Sequence, residues 1–286
     1  MGDGIKTTKE KHKDIIITRT KIISNEAAIN MNASIGDYSD ISFYNAGMED
    51  DYTISKILAR ELGYIVNISD EDSVLAVGLG NSKILTDSLG PVTIDKLETT
   101  RMFNSLFSDE LKNIIQFCAI SPGVIGKTGV GVQEMVEMFS EKLKPNLIII
   151  IDALGIHNVD QIGHTIMIGN TGLKQNNLVP LNLTEDTLGI PVVLIGVPFI
   201  TDTATIANDV IEAILPSLIV KNDNAIRLSH LIDYAERFDM IKEALFKQNI
   251  KNSKFTIEDI ADNIERCSEI IAQGINMWLG IRTYSD

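Results

Sequence analysis

Two apolar runs that lead into aspartates constrain this chain more than any other feature. Val74-Leu-Ala-Val-Gly78 passes into Leu-Gly80-Asn81, and Asp87 follows in a loop closed by Gly90-Pro91. Leu147-Ile-Ile-Ile-Ile151 is followed directly by Asp152. Such runs are apolar on both faces, as a strand in the middle of a parallel sheet must be. Carboxylates just past the C-terminal ends of two such strands stand where open α/β sheets bind their ligands. The pattern predicts an α/β fold in which Asp87 and Asp152 meet in one cleft.

The rest of the chain alternates in the same way. Asp14–Ser24, Ser73–Leu79, Ile114–Ile120, Leu147–Ile151, His164–Ile168 and Pro191–Val197 read as strands. Thr53–Tyr64, Val92–Phe107, Gly129–Lys144 and Thr203–Leu215 read as helices. Lys174–Thr187 reads as a polar loop, and Asn25–Asp51 has no assignable pattern. Beyond Asn222 the pattern is helical, with Ile260, Ile264, Cys267, Ile271 and Ile275 on one stripe. The expected architecture is a mostly parallel or mixed sheet covered by helices on both faces, phosphorylase- or hydrolase-like, with a helical C-terminal part. Residues 1–13 are polar and read as a flexible or removable leader, and 14–286 as a single α/β domain.

The chain has 286 residues, with 39 acidic against 25 basic side chains and a net charge of -14. That surplus argues against nucleic acid as a partner, because phosphate binding needs cations. The apolar runs fall short of the roughly 20 residues that cross a bilayer. The N-terminus lacks the apolar core of a signal peptide. A cytoplasmic location with no membrane partner is the expectation. Cys118 and Cys267 are far apart with no Cys-x-x-Cys, so both are expected as buried free thiols.

Gly78-Leu-Gly80 begins like a dinucleotide fingerprint, but Lys83 stands where the third glycine is needed. No nicotinamide or other cofactor is expected. Gly-x-Ser-x-Gly, His-Glu-x-x-His and Walker motifs are absent from the sequence. Taken alone, Asp87 reads equally well as a helix-start residue and Asp152 as the cap of a following turn. Held together, two carboxylates cannot both ionise cheaply, so one keeps a proton while the other acts as base. Such a pair can activate water on a peptide carbonyl and protonate the leaving amine. Asp87 and Asp152 are therefore the expected catalytic residues. Asn81, His157 and Asn170 are the expected substrate contacts, although Asn170-Thr-Gly172 also reads as a plain turn. No metal is expected; if one is bound, Asp87, Asp152 and His157 are the alternative ligands. Thr201-Asp-Thr203 reads as a helix cap.

The segments Val77-Gly-Leu-Gly-Asn81, Thr86-Asp-Ser-Leu-Gly-Pro91, Ser121-Pro-Gly-Val-Ile-Gly-Lys-Thr-Gly129, Lys144–Leu154 and Thr187–Pro198 occur in an order that resembles the spore germination protease family. Thr256–Leu279 is similar to its C-terminal helix. The resemblance implies an aspartic-type endopeptidase that degrades small acid-soluble spore proteins during germination. It implies catalysis by Asp87 and Asp152 and a fold related to the hydrogenase-maturation peptidases, which carry a metal near the same cleft. It also implies a zymogen that loses residues 1–13 or slightly more, a homotetramer, and a place in the forespore or spore core. The chain departs from the family pattern at Gly155-Ile-His157-Asn158, Asn170-Thr-Gly172 and Lys174–Asn182. Two alternatives stand beside this reading: a metal-dependent peptidase of the hydrogenase-maturation type, and a non-catalytic relative that binds spore proteins.

Overall fold

The computed structural model describes residues 4–31, 33–102, 115–155, 159–175, 180–221, 234–248, 250 and 253–281. In chain order the elements are β1 (Ile5–His12), β2 (Ile15–Ile22), α1 (Asn25–Asn30), β3 (Gly36–Ser42), α2 (Asp51–Ile65), β4 (Ser73–Gly78), α3 (Leu89–Ile94), β5 (Gln116–Ile120), α4 (Ile125–Thr128) and α5 (Val132–Leu143). There follow β6 (Leu147–Gly155), β7 (Thr165–Gly169), β8 (Leu173–Gln175), β9 (Leu181–Leu183), α6 (Glu185–Leu188), β10 (Val192–Asp202), α7 (Thr203–Lys221), α8 (Tyr234–Lys247), β11 (Lys254–Phe255) and α9 (Ile260–Trp278).

The main sheet runs β1-β2-β3-β7-β10-β6-β4-β5, with β11 joined to β10. β10, β6, β4 and β5 pair in parallel, and β1, β2, β3, β7 and β10 pair antiparallel. The expected α/β class with a mixed sheet is what the chain adopts. β8 and β9 form a separate hairpin.

Burial alternates along the central strands and defines two faces. Ile149, Ile151, Val193, Ile195 and Ile41 point to one face, where α2, α3 and α9 cover them. Ile148, Ile150, Leu75 and Val77 point to the other, against Val136 of α5 and Leu173 and Leu183 of the hairpin. Each fully buried Ile or Leu contributes about 1.5–3 kcal/mol of transfer free energy as an upper estimate. The helical stripe of α9 packs tightly on α2 at Gly274, which faces Leu58; a Cβ on Gly274 would lie 2.6 Å from Leu58 Cδ2. Cys267 in that stripe is buried and its thiol is pushed up to about 12 by desolvation, while Cys118 is half-buried.

Four features differ from the sequence reading. Residues 5–12, in which the sequence shows no strand pattern, form an edge strand: all eight pair with β2, and Glu10 accepts from Arg19 and Arg60. Those arginines also reach Glu61 of α2, which is fully buried and accepts from Arg19 Nε at 2.6 Å, Arg19 Nη2 at 2.7 Å and Ser39 Oγ at 2.9 Å. Lys174–Thr187 holds the β8–β9 hairpin and α6, because Leu173, Leu181 and Leu183 pack into the core. The helix expected over 92–107 is only α3, from Leu89 to Ile94, with Pro91 in its first turn where a missing N–H costs little. It stops so that Thr100 can join β5: its N–H donates to Phe117 O at 2.9 Å, and its hydroxyl accepts from Phe117 N and donates to Ile115 O. Residues 103–107 of that expected helix lie outside the described residues. Finally, β6 continues through Asp152 to Gly155, so this aspartate stands within the strand.

Candidate active site

Three glycines let the chain turn tightly at the end of β4. Leu79 N–H donates to Ile151 O at 2.9 Å, binding the turn to β6. Gly80 has φ +112°, and a Cβ there would overlap the Asp87 carbonyl oxygen. A Cβ on Gly90 would overlap the Leu79 backbone and lie 2.6 Å from Ile151 O. A side chain at Gly78 would strike Gly90 and Ile94. These contacts seat the start of α3 directly on the strand ends and carry Asp87 with it.

Asp87 closes a short 3-10 turn, Leu85–Asp87, just before α3. Asn81 N–H donates to Asp87 O and to Asp87 Oδ2, both at 2.9 Å. The residue preceding α3 is Ser88, without a side-chain cap bond, so Asp87 is held by the Gly80-Asn81 turn instead of by the helix. The carboxyl is half-buried; desolvation raises it above the ordinary carboxylate range, and the Asn81 N–H works against that rise.

Asp152 points to the same face as Ile148 and Ile150 and is only 5% exposed. Burial is the largest cause that pushes its carboxyl up to about 7, and the charge of Asp87 adds to it. The Ala153 backbone N–H and Gln175 act in the opposite direction. Gln175 Nε2 donates to Asp152 Oδ2 at 3.3 Å from the end of β8. The two aspartates are thus brought within electrostatic reach of one another, with unequal exposure. Beside them, β10 carries a register shift between Pro198 and Ile200 against β6, the kind of bulge that re-aims side chains near sites.

The other expected site residues fall differently. Asn81 adjoins Asp87, but its carboxamide oxygen accepts from Lys83 N at 3.1 Å and shapes the turn. It lines a cavity of about 240 Å³ with Gly80, Ser82, Pro91, Ser121 and Lys127. Asn170 follows Gly169, which pairs with Leu194, whereas Asp152 pairs with Gly196 farther along β10. Its Oδ1 accepts from Asp37 N at 2.9 Å, tying β3 to β7. His157 lies outside the described residues. Gln175 was missed because it fell in a stretch read as loop; the apolar alternation of Leu181-Asn-Leu183 was the available signal for a hairpin there. Asp202 bears out the helix-start reading, accepting from Thr205 N at 2.9 Å. Among the described residues no three His, Cys, Asp or Glu side chains gather as a metal-binding group. Asp87 and Asp152 therefore find no third ligand there.

The sequence matches the model of the germination protease family over residues 2–224. It is similar to the germination protease of Clostridium tetani, 35% identical over 96% of this chain and 88% of that protein. It is also similar to that of Clostridium perfringens strain SM101, 35% identical over 95% and 86%, and to that of Bacillus cereus strain 03BB102, 32% identical over 74% and 60%. Among solved structures, the NiFe hydrogenase maturation protease HycI of Thermococcus kodakarensis matches with a TM-score of 0.34 and 14% identity, covering 77% of this chain and 99% of that one.

Proposed function

The chain belongs to the germination protease family, and from that premise we propose that it is an endopeptidase of small acid-soluble spore proteins in which Asp87 and Asp152 act as a general acid–base pair. The observation that carries the reading is the unequal coupling of the two carboxyls. Asp152, buried and raised to about 7, retains a proton at mildly acidic pH. Asp87, half-buried and stabilised as an anion by the Asn81 N–H, is the one that ionises first. Asp87 then takes a proton from water as it adds to the scissile carbonyl, and Asp152 donates one to the leaving amine. The pair titrates as a unit, so activity is expected to peak between its two apparent pKa values.

Family membership also supports a spore-core location, a homotetramer and removal of residues 1–13 on activation. Among the described residues no helix is long and apolar enough to cross a membrane. The reading is tested by incubating the purified chain, with and without residues 1–13, with a small acid-soluble spore protein and with an unrelated unfolded protein. Selective cleavage of the spore protein supports it. Binding to the spore protein without turnover at any pH from 5 to 8 would favour the non-catalytic alternative.

A further inference from the structure

The strand registers place Asp152 in a row that crosses the sheet on one face. Asp152 pairs with Gly196, Gly196 with Met167, Met167 with Asp40, and Asp40 with Thr18. Paired residues point to the same face, and Asp40 lies opposite in direction to its neighbours Ser39 and Ile41, which face Glu61 and the core beneath α2. The floor between the two carboxyls is apolar. Leu154 lies over Gly196, where a Cβ would overlap its side chain, and Met167 is half-buried.

Asp40 is half-buried, and desolvation alone raises its carboxyl to about 6. No described residue gives it a hydrogen bond or an ion pair, although Arg19 and Lys21 of the neighbouring strand are engaged with other acids. Lys9, two strands away in the same row, also makes no ion pair with it. A carboxylate partly shielded from water without a partner carries a desolvation cost, and an incoming cation would offset it. Adjacent strands are about 4.8 Å apart, so the three steps from β6 to β3 span about 14 Å, or about four residues of extended peptide.

We propose that Asp40 is a specificity-determining residue that receives a lysine or arginine of the substrate about four residues from the bond presented to Asp152. The inference rests on the peptidase reading of Asp152 above. It adds a recognition point that the acid–base pair does not require.

The test is cleavage-site profiling. A peptide mixture from a bacterial proteome is digested with the full chain, and cut sites are read by mass spectrometry for wild type, Asp40→Asn, Asp40→Glu and Asp40→Lys. Wild type should enrich lysine or arginine at one position three to five residues from the cut, by about tenfold for a charge-assisted bond. Asp40→Asn should lose that enrichment, Asp40→Glu should keep part of it, and Asp40→Lys should favour acidic residues instead. No basic preference in wild type, or the same preference in Asp40→Asn, overturns the proposal. If folded wild type cuts nothing, the peptidase reading falls. Asp40 is then judged by binding: fluorescent alanine-based decapeptides carrying lysine or norleucine are titrated against Asp152→Asn, and equal affinities overturn the proposal.

Discussion

Replacing Asp152 with asparagine tests the electrostatic account through stability, apart from any assay of activity. In the folded protein this carboxyl ionises near 7; its ordinary value is 3.8. The folded chain therefore holds a proton across a window in which the unfolded chain has lost it. Stability from this group is greatest below the unfolded value, falls as pH rises towards 7, and is level above that. The whole span corresponds to about 4 kcal/mol, and the part between pH 5.5 and pH 8 to about 2 kcal/mol. Asp152→Asn is nearly isosteric and does not titrate. Urea unfolding of both proteins at the two pH values should find the variant gaining about 2 kcal/mol on wild type at the higher pH, close to 1 M in midpoint for a slope of about 2 kcal/mol/M. Titrating groups outside the pair, Asp40 among them, occur in both proteins and cancel in the difference, whereas Asp87, whose charge couples to Asp152, belongs to the effect measured. Parallel stabilities would mean that Asp152 ionises in the usual carboxylate range, and its role as proton donor would fail.

Three further perturbations follow from named contacts. Gln175→Ala removes a donor that lowers Asp152, so the alkaline limb of the activity profile should move to higher pH; an unmoved limb would detach Gln175 from the site. Gly90→Ala should cost about 3 kcal/mol in urea unfolding and abolish turnover, because the new Cβ meets the backbone of Leu79, just past β4, and of Ile151 in β6. Arg19→Ala leaves Glu61 buried with its main partner gone and should cost about 3–5 kcal/mol, while the double change Arg19→Met with Glu61→Leu should recover much of it.

The parallel half of the fold was legible because its signal is local. Val74–Gly78 and Leu147–Ile151 are apolar on both faces, and that alone places them in the middle of the sheet with Asp87 and Asp152 at the ligand edge. The antiparallel half was not. β3 reads Gly-Asp-Tyr-Ser-Asp-Ile-Ser, with Ile41 its single aliphatic residue, and its buried polar Ser39 is satisfied by Glu61, which is itself paired with Arg19 and Arg60 from other parts of the chain. β1 is half charged and mostly exposed and gains order from pairing with β2, which leaves no local mark in the sequence. The site was legible to the same depth. The glycine turn and the aspartates follow from spacing, whereas Gln175 reaches Asp152 on a three-residue strand too short for any periodicity. Asp40 joins the row only through registers that no sequence pattern carries.

The central claim is that Asp87 and Asp152 act as one acid–base pair in peptide hydrolysis. The most direct measurement compares the turnover of a small acid-soluble spore protein by wild type, Asp87→Asn, Asp152→Asn and the double variant, each shown to be folded by circular dichroism. The account predicts that each single change lowers kcat by about 10²-fold or more and that the double change costs little beyond the worse single one, as for groups that act as a unit. Turnover near the wild-type rate in either single variant would contradict it.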